Sequence, residues 1–448
     1  MTIYYNKEQV LEFIENKQWK KVKDALVDWK VQDIAELMNE IDEPQIVLVF
    51  RTLQRNKSTD VFSYLEPEYQ ETLLKAFTKQ ETQHILSGLD SDDRITLFEE
   101  LPGVITRKLF KLLTPEDLKE TRYLLGYPEE SVGRLITSNY VTVYKDMTIE
   151  EALDRIRQKG TDTETLNRVY VIDKNKKLLD SIKLRQIVIA KRDKKIQDLM
   201  TYNPISLSAY DDQEKAVDIL KKYDVLAIPV VDSEGIIIGA VTADDIIDIA
   251  EEEITEDIQK IASVEPLKTS YKNVSIFTLY KKRIIWLSLL VFVSLISSGV
   301  IAFFEETLNA AIALAFFIPL LIGSGGNIGS QSATLMIRAL ATEDVKMNEW
   351  FKVFIKEILM GLLIGITLGI LALTIGIFRV GYEIGIIVGL SMMVIILFAN
   401  IIGALLPFIL SKLKIDPAVA SSPLITTIVD AFGLIIYFII AKLTLNII

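Results

Sequence analysis

The sequence predicts a multidomain membrane protein. It should hold a cytoplasmic all-α helical-repeat domain (1–127), a tandem α/β pair (128–243), a long connecting helix (244–283) and a five-helix α transmembrane domain (284–448). Three observations predict this. Half of the 448 residues are apolar and a quarter are charged, and the two kinds are segregated. Residues 284–448 carry 8 Lys/Arg against 9 Asp/Glu, which leaves an acidic 41 against 51 in front of them. Two internal repeats of different period fill that acidic part.

The first repeat lies in residues 1–127. Ile41-Asp-Glu-Pro, Leu65-Glu-Pro-Glu, Leu89-Asp-Ser-Asp and Leu113-Thr-Pro-Glu begin 24 residues apart. An acidic or Pro-containing turn ahead of an apolar pattern such as Leu73, Leu74 and Phe77 marks a helix start. So short a period predicts stacked helical hairpins, with a plain bundle as the alternative.

The second repeat covers 128–243. Leu135-Ile-Thr137 answers Leu199-Met-Thr201, and Val169-Tyr-Val-Ile-Asp173 answers Ile228-Pro-Val-Val-Asp232. Each unit predicts strand, helix, strand, strand, helix. The units resemble CBS domains. The second ends Gly239-Ala-Val-Thr242-Ala-Asp-Asp245, which is similar to that family's Gly-x-x-Thr-x-x-Asp. The resemblance implies a nucleotide, ATP foremost, held by Thr242, Asp245 and Pro229. The first unit has Asp180-Ser-Ile-Lys183-Leu-Arg-Gln186 in that place and reads as degenerate. Structural pairing alone is the other reading.

From Asp244 to about Lys282 the pattern predicts one helix leading straight into the first span. Asp245, Asp248, Glu252 and Glu256 form one stripe, thickened by Glu253. Ile247, Ala250, Ile254, Ile258 and Ile261 form the opposite one.

Five apolar stretches follow, near 284–304, 308–340, 353–378, 384–410 and 421–445, each long enough to span a bilayer. Lys281-Lys-Arg283, Lys346, Lys352, Lys356, Lys412 and Lys414 fall on one side. Glu305, Glu306, Arg379 and Glu383 fall on the other. The positive-inside rule puts the first set in the cytoplasm and the C-terminus outside. The opening Met1-Thr-Ile-Tyr-Tyr has no apolar signal core, in keeping with a cytoplasmic N-terminus.

Chemistry narrows the function. The chain has no cysteine and one histidine, His84. That excludes disulfides, thiolate zinc sites and cysteine nucleophiles. Any metal must be held by oxygen, which favours magnesium or calcium. There is no Gly-x-x-x-x-Gly-Lys-Ser/Thr loop, so an enzyme is not expected. Asp430 lies mid-span, where a carboxylate costs about 2.5–3.5 kcal/mol and usually faces a pore or partner. A protonated, packed Asp is the alternative. Lys356 and Glu357 are read as satisfying each other or snorkelling. Pro319 with Gly323-Ser-Gly-Gly-Asn327-Ile-Gly-Ser-Gln-Ser332 predicts an interrupted second span offering carbonyl, hydroxyl and amide oxygens. Close helix packing through small residues is the alternative. Asp416-Pro417 opens the fifth span, as an inner way-station for an ion or as a helix N-cap.

The order of parts resembles the MgtE magnesium transporters along nearly the whole chain. So do the stretches Gly323 to Leu340 and Pro417 to Asp430, and the Thr255-Glu-Asp-Ile-Gln segment. Ser422, Ser324 and Ser330 depart from residues some members carry. The resemblance implies a homodimer with a pore lined by the second and fifth spans, and Asp430 of each subunit facing the ion. Asp416 and Asn327 are further candidate pore ligands. Asp245, Asp248, Glu252, Glu253, Glu256, Asp92 and Asp93 are candidate regulatory ligands. Internal magnesium would bridge these carboxylates, compact the cytoplasmic domains and close the pore; a merely solvated acidic face is the alternative. Transport of cobalt or manganese, or a non-conducting magnesium or nucleotide sensor, are the competing functions.

Overall fold

The acidic turns of the 24-residue repeat start helices. In the computed structural model, which describes residues 5–160, 163, 165–267, 271, 274–342 and 344–445, three helices come first: α1 (Lys7–Glu15), α2 (Trp19–Leu26) and α3 (Val31–Met38). Then come α4 (Glu43–Thr52) with α5 (Arg55–Ser63), α6 (Pro67–Ala76) with α7 (Lys79–Gly88), α8 (Ser91–Glu100) with α9 (Gly103–Leu109), and α10 (Pro115–Leu124). Proline at the first turn of α4, α6 and α10 costs no hydrogen bond there. Thr78 closes a capping box on α7. Helices two places apart pack together, α2 on α4, α4 on α6, α3 on α5, α5 on α7 and α8 on α10, which is hairpin stacking rather than a plain bundle. Phe50, Phe62 and Phe77 cluster inside the stack.

The tandem pair follows. β1 (Thr142–Tyr144), α11 (Ile149–Lys159), β2 (Arg168–Ile172), β3 (Leu178–Lys183) and α12 (Leu184–Ile189) form the first unit. β4 (Leu207–Ser208), α13 (Glu214–Tyr223), β5 (Ala227–Val231), β6 (Ile237–Thr242) and α14 (Ala243–Ile261) form the second. Both sheets have the same topology, a parallel outer pair and an antiparallel hairpin, with Val169 opposite Ile182 and Ile228 opposite Val241. An apolar cluster of Tyr170, Ile172, Ile237 and Ala240 joins the two units.

The connecting helix is shorter than expected. α14 ends at Ile261, and the first span starts anew at Ile276. Ser263 takes a left-handed conformation (φ 58°), Pro266 follows within three residues, and Ser275 caps the next helix through the Thr278 amide. A second correction concerns its faces. Ile246 and Ile249 are buried, whereas Ile247, Ile254 and Ile258 are exposed.

The five long apolar helices are α15 (Ile276–Phe303), α17 (Ile318–Ala341), α18 (Trp350–Arg379), α19 (Tyr382–Lys412) and α20 (Ser422–Thr444), with the short α16 (Glu305–Ala310) after the first. All exceed the roughly 20 residues a bilayer needs. The chain divides into two compact units, residues 1–251 and 252–448. Within the second, α19 is the central helix, and α17, α18 and α20 all pack on it.

Candidate functional site

The glycine-rich stretch is not interrupted. Pro319 sits in the first turn of α17, where its missing N–H is harmless, and the helix runs on to Ala341. The glycines serve close packing. A Cβ on Gly325 would fall 2.8 Å from Ile395 and Val429, and one on Gly326 would fall 2.8 Å from Thr426. On Gly403 of α19 it would fall 2.2 Å from the Gly329 carbonyl oxygen. No carbonyl is freed within Gly323–Ser332, so only its hydroxyl and amide oxygens remain as candidate ligands; the span changes helix type earlier, where a 3-10 segment, Ile312–Phe317, precedes α17.

Packing those glycines inward turns another edge of α17 outward. Gly323, Asn327, Gln331, Thr334 and Arg338 are all exposed and lie 4, 4, 3 and 4 residues apart, a polar stripe along one face. Asn327 is therefore on the open face, not in the helix seam.

α20 flanks α17 in the antiparallel sense. The Ser330 hydroxyl approaches the Ser422 carbonyl (3.4 Å) and the Thr426 hydroxyl (3.5 Å). Asp430 lies one turn further along α20. Its Oδ1 is buried and has no hydrogen-bond partner among the described residues. A buried carboxylate oxygen left without a donor is costly.

Asp416 occupies a different setting. Its Oδ1 accepts from the Ala418 amide at 2.8 Å, capping a short turn before α20. Its Oδ2 accepts from Lys260 Nζ at 2.7 Å, and Lys260 also pairs with Glu256. Burial works against the Lys260 ammonium, but its hydrogen bonds to Asp416 and Glu256 prevail and hold its pKa above the ordinary value. Next to it, burial pushes the Asp257 carboxyl up, and the Asp416 charge adds to the shift. The Ser263 and Ser421 hydroxyls, both buried, bond at 2.7 Å. The end of α14 is thus fastened to the start of α20.

The other carboxylates divide between the two units. Asp92 and Asp93 stand in the first turn of α8, and Asp245 and Asp248 in the first turns of α14. One loop links these places. The Ser91 hydroxyl donates to the Ile136 carbonyl and accepts from the Ser138 amide, both at 3.0 Å, and the Thr137 amide donates to Ala240 of β6. Asp90 accepts from Asn139 of the same loop at 2.6 Å. Partial burial raises the Asp248 pKa, and Asp244 and Glu251 raise it further. Glu252, Glu253 and Glu256 belong to the second unit. Among the described residues no three acidic or histidine side chains converge on one metal position.

In the tandem pair, Thr242 Oγ1 donates to Asp245 Oδ2 at 2.5 Å, and Pro229 lines a cleft with Ile205, Val225 and Arg168. In the first unit Lys183 and Gln186 stand where the second has Thr242 and Asp245, and Gln186 Oε1 accepts from the Lys183 amide at 3.2 Å. Asp180, the counterpart of Gly239, is buried and accepts from the Ser181, Thr201 and Tyr202 amides. A lysine and an amide thus replace the hydroxyl and carboxylate of the motif, which accounts for its degeneracy.

The sequence reading missed one cluster. Glu357 does not pair with Lys356, because adjacent residues on a helix do not face each other. Its Oε2 accepts from Asn400 Nδ2 (2.7 Å) and Ser332 Oγ (3.3 Å). The signal was present: Asn400 is a lone amide inside an apolar span.

Comparison with known proteins fits this arrangement. Residues 318–440 match the family model for MgtE, a divalent cation transporter. Residues 29–130 match the MgtE intracellular N domain, and 132–193 and 196–252 match CBS domains. The chain is 36% identical over 440 residues to the magnesium transporter MgtE of Thermus thermophilus, covering 97% of both chains. It is 32% identical to that of Bacillus subtilis, covering 93% of this chain and 95% of the relative. Among solved structures, the cytosolic domain of the Mg2+ channel MgtE in complex with ATP matches with a TM-score of 0.52 at 28% identity, covering 55% of this chain and all of that one.

Proposed function

Because the chain belongs to the MgtE family and is a multi-pass membrane protein that transports magnesium, we propose that the ion crosses along the face shared by α17 and α20. A second copy of the chain completes the pore. The observation that carries this reading is Asp430 Oδ1, a buried carboxylate oxygen with no partner among the described residues. The polar stripe through Asn327 supports it, since such a face is expensive against lipid and cheap against a water-filled path. Magnesium dehydrates reluctantly, so two Asp430 carboxylates across a twofold axis would hold it through its water shell.

Regulation is assigned to the carboxylates on α8 and α14. Their donor chemistry suits a hard divalent ion. Asp92, Asp93, Asp245 and Asp248 would share magnesium in the first unit, and Glu252, Glu253, Glu256 and Asp416 in the second. Bound ion relieves repulsion between like charges and favours the state in which α14 is fastened to α20, which closes the path. Asp416 serves this fastening rather than the pore. ATP would bind at Thr242, Asp245 and Pro229, as the ATP complex of the related cytosolic domain supports. The N-terminal half lies in the cytoplasm and the C-terminus outside. The protein catalyses no reaction.

The test is magnesium influx into proteoliposomes with an internal magnesium dye, wild type beside Asp430→Ala. Influx in the wild type and its loss in the variant is the expected result. Equal influx in both would remove Asp430 from the path. No influx in either, at low internal magnesium, would favour a sensor.

A further inference from the structure

The seam that lets α17 approach α19 does not itself fix the rotation of α17, which rests on side chains beyond it such as Leu321, Ala333 and Ile337. Gly325 and Gly329 fill the seam, and glycines carry no side chain to index one helix against another. Rotation matters, because Asn327, Gln331 and Thr334 lie on the open edge and successive residues are about 100° apart around the axis.

Just beyond Gly329, Ser332 supplies a directional contact. Its buried hydroxyl lies 3.1 Å from the Asn400 carbonyl oxygen of α19 and 3.3 Å from Glu357 Oε2 of α18. Asn400, also buried, donates from Nδ2 to the same Glu357 Oε2 and to the Glu357 carbonyl oxygen, at 2.7 and 2.8 Å. One carboxylate oxygen therefore joins three helices. Hydrogen bonds depend on angle as well as distance, so this junction can fix what the glycines leave free.

From this juxtaposition we propose that Glu357, acting through Asn400 and Ser332, is a positioning residue. It sets the rotation of α17 and thereby how the Asn327 face meets the ion. The inference rests on the reading that the ion path runs along that face.

The experiment measures magnesium influx against external magnesium in proteoliposomes, for wild type, Ser332→Ala, Glu357→Leu, Glu357→Gln and Asp430→Ala. Ser332→Ala and Glu357→Leu should each move the half-saturating magnesium concentration by about three- to tenfold, the scale of one or two interhelical hydrogen bonds. Glu357→Gln should stay within about twofold of wild type, because its amide oxygen accepts the same two bonds. A merely structural role would lower maximal influx and leave half-saturation unchanged. That result in Ser332→Ala, a small change expected to fold, overturns the proposal even where Glu357→Leu cannot be purified. Undiminished influx in Asp430→Ala would instead overturn the ion path itself.

Discussion

Lys260 Nζ lies 2.7 Å from Asp416 Oδ2, a contact between residues 156 apart in the chain, and the same ammonium pairs with Glu256. It holds two carboxylates together that would otherwise repel. Lys260→Met removes the cation and leaves Glu256 and Asp416 facing each other across the end of α14. The fastening should weaken by roughly 0.5–1 kcal/mol, the upper range for partly exposed pairs. Magnesium influx at high internal magnesium should then rise about two- to fivefold. Dye-filled proteoliposomes preloaded with magnesium measure this. Influx no higher than wild type would mean that the pair does not hold the closed state.

Asp257 adds a pH dependence of opposite origin. Burial first, and then the Asp416 charge, raise its pKa where α14 is fastened. A carboxyl so raised is favoured as the neutral form in that state. Its contribution is present at pH below the ordinary carboxylate pKa and is lost as pH rises through the raised value. At neutral pH the ionised side chain therefore opposes the fastened arrangement. Asp257→Asn removes this opposition. The variant should unfold at a higher temperature than wild type near pH 7 without magnesium, by about 1–3 °C, and the gap should shrink toward pH 4. A gap that widens on acidification would reverse the assignment.

Gly403 and Gly299 form a matched pair of tests. A Cβ at Gly403 would meet backbone of α17 at 2.2 Å, and backbone cannot swing aside. Gly403→Ala should force α17 from α19 at a cost of about 1–3 kcal/mol and reduce influx at least severalfold. At Gly299 of α15 nothing lies within 4 Å of an added Cβ. Gly299→Ala should be neutral or stabilising by up to about 1 kcal/mol. Thermal unfolding and influx of both variants decide, and equal tolerance would contradict the packing.

Much of this was readable from residues alone. The turns at Ile41, Leu65, Leu89 and Leu113 mark helix starts by proline or acidic residues in the first turn, and the helices begin there. The strands around Val169 and Ile228 follow from runs of β-branched residues. Asp430 stands out because a carboxylate in an apolar span is rare. What failed was non-local or conformational. The break after Ile261 depends on a serine in a left-handed conformation, which no glycine announces. The Gly323–Ser332 stretch reads equally as a break or a seam until Gly403 and Thr426 are seen against it. Lys260–Asp416 and Glu357–Asn400 join segments whose approach only the fold determines.

The two halves of the tandem pair should differ in nucleotide binding. Thr242 and Asp245 bond to each other at 2.5 Å and can turn a hydroxyl and a carboxylate to a ribose. In the first unit Lys183 and Gln186 hold those two places, and the Gln186 amide oxygen is taken by the Lys183 backbone amide at 3.2 Å, so no hydroxyl and no carboxylate stand ready for a ribose there. Titration calorimetry of the purified full chain with ATP should therefore give one site per chain. Asp245→Ala should weaken it at least tenfold, as expected for losing a charged acceptor to ligand hydroxyls. Asp180→Ala should lower thermal stability and leave the number of sites at one. Two sites in the wild type would mean that the first unit holds nucleotide with Lys183 and Gln186 in place of the hydroxyl and carboxylate.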